Sequence, residues 1–169
     1  MKYLIISDLH GDFSSLKNVI KLYKSCNCDK IIFLGDYFGN KNKDNQDIID
    51  MMNLFKNDII ALKGNCDNYF DNCFDFELRD SFFVSLNSRY YLFIHGDKLD
   101  EYLSTNIGQK LYIVYGHTHR YRVYSSGDFT FVNIGSIAFP RGGLKKCYAL
   151  LDESGIKIYS INNEELYNV

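Results

Sequence analysis

The segment Leu4-Ile5-Ile6-Ser7-Asp8-Leu9-His10 decides the fold. Its apolar half reads as a short strand, and a carboxylate and an imidazole follow it one residue apart. The pattern returns four times. Ile31-Ile32-Phe33-Leu34 runs into Gly35-Asp36, and Ile59-Ile60-Ala61-Leu62 leads through Lys63 into Gly64-Asn65-Cys66-Asp67. Tyr91-Leu92-Phe93-Ile94 ends at His95-Gly96-Asp97, and Tyr112-Ile113-Val114-Tyr115 ends at Gly116-His117-Thr118-His119. Continuous apolar runs of this length fit strands covered on both faces. Ligand sites of open α/β sheets lie beyond the carboxyl ends of strands, so these five ends are expected to meet at one patch.

Between the runs lie helix signals. Asp12 can cap a helix whose apolar face is Leu16, Val19, Ile20 and Tyr23, and a second helix carries Ile48, Met51, Met52 and Phe55 after the polar loop Tyr37–Asn45. With strands at Lys2–Ser7, Lys30–Leu34 and Asp58–Leu62, the first half reads βαβαβ, which argues for a parallel sheet. The second half predicts hairpins. Ser81–Leu86 and Tyr90–Ile94 flank Asn87-Ser88, Tyr121–Ser125 and Asp128–Asn133 flank Ser126-Gly127, and Cys147–Leu151 and Gly155–Ile161 flank Asp152-Glu153-Ser154. Leu111–Tyr115 adds a strand, and Lys98–Thr105 suggests a short helix. The expected fold class is α/β (α+β), a two-sheet β-sandwich flanked by helices, as a single domain over residues 1–169.

Composition excludes several alternatives. A length of 169 residues with 46% hydrophobic and 24% charged residues rules out a disordered or fibrous chain. A net charge of −2 gives no sign of nucleic-acid binding. No stretch is long and apolar enough for a secretory or membrane-spanning segment, so no membrane partner is expected. The five cysteines are an odd number without framework spacing, which fits reduced thiols and a cytoplasmic location. The 14 Tyr and 13 Phe read as packing residues.

All four histidines of the chain fall at the five strand ends. Mixed carboxylate and imidazole donors suit Mn, Fe, Zn, Co or Ni rather than Ca, and the donor set lacks the thiolates of a structural zinc site. The candidate ligands are Asp8, His10, Asp36, Asn65, His95, His117 and His119, too many for one tetrahedral ion and suited to two. Paired divalent ions are a common clamp for displacement at phosphorus. No nucleophilic-serine or phosphate-loop pattern competes.

These blocks resemble the calcineurin-like metallophosphoesterases, whose pattern is D-x-H, G-D, G-N-H-D/E, a histidine, then G-H-x-H. All five occur in order from Asp8 to His119. Gly64-Asn65-Cys66-Asp67 and Asn133-Ile134-Gly135-Ser136 resemble the G-N-C-D and N-P-G-S segments of that family's small bacterial and archaeal phosphodiesterase subgroup. The resemblance implies the αββα sandwich with its site at one edge. It also implies two divalent ions as cofactors, Mn2+ first, with Ni2+, Fe2+, Zn2+, Co2+ or Mg2+ as the other candidates. Asp8, His10 and His119 would hold one ion, Asn65, His95 and His117 the other, and Asp36 would bridge them. A metal-bridging hydroxide would attack phosphorus, with Asn65 and His95 stabilising developing charge.

The expected activity is therefore that of a phosphodiesterase acting on a small phosphoester. Two cations, two carboxylates and one hydroxide leave a site of about +1, which suits a diester slightly better than a monoester. Arg120, Arg141 and Lys41 are candidate contacts to substrate phosphate, at an open site without a cap domain. The alternatives are a phosphomonoesterase and a protein-interaction scaffold like the similarly shaped retromer subunit. The intact ligand set argues against the scaffold. A homo-oligomer is compatible with the sequence.

Two departures stand out. Ile134 replaces proline, and Cys66 replaces the histidine associated with leaving-group protonation, which also leaves the neighbouring Asp67 without an evident catalytic partner. Restoring histidine by Cys66→His should broaden the range of leaving groups hydrolysed. Rates across a series of aryl and alkyl phosphodiesters check this, and an unchanged profile contradicts it.

Overall fold

In the computed structural model, which describes residues 1–39, 45–68, 72–104 and 108–169, strand β1 (Tyr3–Ile6) is buried at all four positions. Its side chains alternate between two cores. Leu4 and Ile6 join the helices, whereas Tyr3 and Ile5 face the second sheet. A strand covered on both faces needs apolar residues at every position, which is why this run shows no polar alternation.

Helix α1 (Phe13–Ser25) begins where Asp12 accepts the Ser14 and Ser15 amides at 3.1 and 3.2 Å. It buries Leu16, Val19 and Ile20 against β1 and β2 (Lys30–Phe33). Helix α2 (Gln46–Leu54) adds Ile48 and Met52 to the same core, beside β3 (Ile59–Ala61). Both helices thus cover one outer face. The other outer face, with Leu92, Ile94, Ile113, Tyr115 and Phe131, is partly covered by Leu99 and Tyr102 of a single 3-10 turn, Leu99–Tyr102. That turn is all of the helix expected over Lys98–Thr105 that falls among the described residues.

The remaining strands are β4 (Ser81–Leu86), β5 (Arg89–Ile94), β6 (Leu111–Tyr115), β7 (Arg122–Ser126), β8 (Phe129–Asn133), β9 (Cys147–Asp152), β10 (Gly155–Ser160) and β11 (Glu165–Asn168). The first sheet runs β11-β10-β9-β1-β2-β3 and the second β4-β5-β6-β8-β7. Three hairpins form as expected, β4–β5, β7–β8 and β9–β10. The sheets are nonetheless mixed, because β6 runs parallel to both β5 and β8, while β9 pairs antiparallel with β1. Tyr3, Ile5 and Ile32 of the first sheet meet Tyr91, Phe93, Val114 and Val132 of the second in the central core. No helix among the described residues is long and apolar enough to cross a membrane.

The two sheets touch where β1 and β6 end. The His117 amide donates to Asp8 Oδ2 at 3.0 Å, and a Cβ on Gly116 would lie 2.6 Å from Ser7 Cβ and 2.8 Å from Asp8 Oδ2. Gly116 is therefore held by sterics. Gly116→Ala is expected to destabilise the protein by about 1–3 kcal/mol through overpacking. Denaturant unfolding measures the loss, and wild-type stability in the variant would contradict this contact.

Candidate metal centre

The strand ends place their donors by bending the chain into an unusual conformation. Asp8, His10, Asp36, His117 and His119 all have positive φ, between 46 and 64°. Left-handed backbone costs an L-residue about 1–2 kcal/mol, so five such residues in one place need a frame that holds them. Part of that frame is backbone. The Asp8 amide donates to Gly35 O, His10 to Asp36 O, Gly116 to His95 O and Arg141 to His119 O.

Two sets of lone pairs result. In the first, the buried Asp8 Oδ1 has no hydrogen bond and faces His119 Nε2 at 3.6 Å and His10 Nε2 at 3.9 Å. The two imidazole nitrogens are themselves 3.1 Å apart. In the second, Asn65 Oδ1 lies 3.0 Å from both His95 Nε2 and His117 Nδ1, which are 3.3 Å from each other. Asp36 Oδ2 stands between the sets, 3.5 Å from His10 Nε2 and 3.5 Å from His95 Nε2. Each of the seven candidate ligands is thus brought to one edge of the sandwich.

The orientation of these groups argues for cations. His95 directs Nδ1 to Leu34 O at 2.8 Å and His119 directs Nδ1 to Phe139 O at 2.6 Å. A neutral imidazole whose Nδ1–H donates presents a bare Nε2, the usual posture of a metal-ligating histidine. The Asn65 amide nitrogen points to Cys66 Sγ at 3.5 Å, which leaves its oxygen on the imidazole side. Acceptors crowded against acceptors, with a carboxylate oxygen buried and unpaired among them, repel one another unless a cation lies between. The donor set therefore fits divalent metal ions. Grouped donor atoms within 4.8 Å of one another include Asp8–His10–His119 and Asp8–Asp36–His95.

Electrostatics point the same way. Burial, followed by the Asp36 charge, pushes the Asp8 carboxyl up to about 8. Burial also lowers His10, His95 and His119, which keeps these imidazoles neutral. A buried carboxyl that resists ionising and imidazoles that resist protonation both gain from a bound cation.

The expected supporting residues fall into three groups. Asp67 is fully buried and accepts the amides of Asp36, Tyr37 and Gly64 at 2.7, 3.0 and 2.8 Å, so it clamps the Asp36 turn from below. Cys66 donates its amide to Asp36 Oδ1 at 2.9 Å, and its thiol lies in a 4.8 Å group with His10 and Asp36. Burial and then Asp36 push that thiol up to about 12. Arg120 and Arg141 are exposed, and the Arg141 charge acts on Asp8, His10 and His119. Lys41 lies outside the described residues.

Sequence reading missed the groups that orient the candidate ligands. Asn133 Nδ2 bonds Gly116 O at 2.8 Å and Thr118 Oγ1 at 2.9 Å, which secures the loop bearing His117 and His119. Ser136 Oγ donates to Asp8 O at 2.9 Å and accepts the Phe139 amide at 2.8 Å. The only advance signal for these contacts was the Asn133–Ser136 motif. Nothing in the sequence marked the carbonyls of Leu34 and Phe139.

The calcineurin-like phosphoesterase superfamily domain profile matches residues 1–155. Phosphodiesterase YfcE of Escherichia coli strain K12 is 25% identical over 175 residues, covering 98% of this chain and 95% of the relative. The solved structure of the E. coli phosphoesterase YfcE superposes with a TM-score of 0.88 at 24% identity, covering 100% of this chain and 98% of that one. Vacuolar Protein Sorting 29 from Cryptosporidium parvum shares the fold, with a TM-score of 0.62 and 18% identity over 94% of this chain and 89% of its own.

Asp8 supplies a pH test. Unfolded, it ionises near 3.8, whereas the folded, metal-free carboxyl keeps its proton up to about 8. The folded state then binds the extra proton, so this group lowers stability progressively as pH rises through that interval. Metal-free Asp8→Asn should melt several degrees above wild type at pH 8, at about 2–4 °C per kcal/mol, and nearly with it at pH 4.5. Thermal melts in chelator check the difference. Added Mn2+ should raise the wild-type Tm more than that of the variant.

Proposed function

Because the chain belongs to the calcineurin-like phosphoesterase superfamily, we propose that residues 1–169 form one metallophosphoesterase domain that hydrolyses small phosphodiesters at a dinuclear metal centre. The observation that carries this reading is the position of Asp36 Oδ2, 3.5 Å from an imidazole nitrogen of each donor set. Asp8, His10 and His119 would hold one ion, Asn65, His95 and His117 the other, and Asp36 both. Oxygen and imidazole donors make Mn2+ the first candidate. Bound there, two divalent ions supply Lewis acidity to phosphoryl oxygens and acidify water at neutral pH.

The chain's own groups set the rest of the chemistry. Neutral His10, His95 and His119 leave the site's positive charge to the ions, while Asp8 and Asp36 offset part of it. A net charge near +1 suits a diester's single negative charge. Asn65 and His95, whose Oδ1 and bare Nε2 would hold one ion, would steady the charge developing on the phosphoryl oxygens through that ion. Arg141 and Arg120 meet the phosphate from the side of His119. Cys66 stays protonated up to about 12, so it donates a proton poorly and favours alcohols that leave as stable anions.

The likeness to Vacuolar Protein Sorting 29 is one of fold, and the complete donor set favours hydrolysis over a purely interacting role. Cysteines outside any disulfide at Cys26, Cys28, Cys66, Cys73 and Cys147 fit a cytoplasmic enzyme.

Purified protein with Mn2+ should hydrolyse bis(p-nitrophenyl) phosphate at least tenfold faster than p-nitrophenyl phosphate. Asp36→Asn should lower the diester rate by about 100-fold or more, since it removes the group shared by both ions. No Mn2+-dependent turnover of either ester would overturn the enzyme reading, and a faster monoester would replace the diesterase with a phosphatase.

A further inference from the structure

A cleft of about 160 Å3 opens directly beside the second donor set, with Asn65 and His95 in its wall. Gly64 and Gly96 line it next to those ligands, and the 3-10 turn Leu99–Tyr102 supplies Glu101 and Tyr102 on the far side. An occupant of this cleft would therefore be contiguous with a phosphoryl group at the metal centre.

Size and chemistry limit that occupant. An engineered cavity of about 150 Å3 holds benzene, so the cleft takes a group of about six non-hydrogen atoms. Asp80, Asp97 and Glu101 supply carboxylate acceptors, Lys63 and Lys98 supply ammonium donors, and Tyr102 adds a hydroxyl that does both. Three carboxylates against two lysines disfavour a second phosphate. A quaternary ammonium is recognised by several aromatic faces, and among the described residues Tyr102 is the one tyrosine, phenylalanine or tryptophan lining this cleft. A wall that mixes donors and acceptors suits hydroxyl groups, each of which donates and accepts.

The two sides of the centre also differ in charge. Arg141 acts on Asp8, His10 and His119, whereas Asp97 acts on His95 at the cleft. A phosphodiester would thus be drawn with its anionic oxygens toward Arg141 and a neutral, hydroxyl-rich arm toward Asp97.

We propose that this cleft is a specificity subsite for a glycerol-sized polyol esterified to the phosphate. The proposal rests on the phosphodiesterase reading for its substrate and on the cleft alone for its ligand. Glu101 and Tyr102 are its hydroxyl-recognising residues, set apart from the metal ligands on their own turn.

The test compares glycerol p-nitrophenyl phosphate with methyl p-nitrophenyl phosphate in the Mn2+-loaded protein. Wild type should prefer the glycerol diester about tenfold in kcat/KM, mainly through KM. Glu101→Gln and Tyr102→Phe should each shrink that ratio severalfold, as expected for the loss of one hydrogen bond. A wild-type ratio near one, or a ratio unmoved by both variants, overturns the subsite. Binding decides the matter separately from turnover. In Mg2+-loaded protein, glycerol 3-phosphate should shift the amide resonances of residues 98–102 and methyl phosphate should not. Equal shifts, or none, overturn the subsite even in an active enzyme. Selective shifts without turnover of any ester uphold it and overturn only the catalytic reading.

Discussion

Repulsion among lone pairs is the constraint on which the molecule depends. Asp8 Oδ1, Asp36 Oδ2, Asn65 Oδ1 and the facing nitrogens of His10, His95, His117 and His119 are each held between 3.0 and 3.6 Å from a neighbouring member of the set, and Asp8 Oδ1 among them has no hydrogen bond. Such a cluster spreads apart unless the scaffold resists. The sandwich resists because each donor leaves a strand anchored in one of two cores, and because left-handed residues turn the side chains back over the sheet edge. Stability is given up at the edge so that a cation meets an assembled site.

The clamps below the ligands show how this is arranged. Asp67 presents a carboxylate to three amides, and Gly64 leaves the space that Asp36 needs, since a Cβ there would fall on the Asp36 backbone and carboxylate. Burial pushes Asp67 up to about 7, so even this supporting charge is held at some cost. Asn133 and Ser136 do the same work for the opposite loops through neutral hydrogen bonds. The candidate ligands are fixed through bonds to the backbone, from the Asp67, Asn133 and Ser136 side chains to their loops and from His95 and His119 to carbonyls.

The central strands and the metal-type residues were legible in the sequence for one reason. A short apolar run ending in Asp or His states both its burial and its chemistry locally. Asp12 as a cap and the Leu16, Val19, Ile20 face were legible on the same local grounds. Parallel pairing of β6 with β5 and β8 was not, because the partner of a strand is fixed by distant segments and by the order in which crossovers pack. Strand β11 was missed because Glu165-Leu166-Tyr167-Asn168 is short, at a sheet edge and mostly polar. The cleft was invisible too, since Asp80, Asp97 and Glu101 look like ordinary surface charge until the fold places them around one hollow.

Strand β1 lies between β2 and β9, whose residues are separated by more than a hundred positions of chain. During synthesis the first ligands, Asp8 and His10, emerge early, yet one edge of their strand stays unpaired until Cys147–Asp152 follows. The segment that fixes Asp8 and His119 through Ser136 and Phe139 also emerges late. Closure of the first sheet and completion of the donor edge therefore depend on the same late segment, residues 133–152. A polypeptide that lacks β9 and the 133–139 segment holds these donors without the strand and the hydrogen bonds that set their positions.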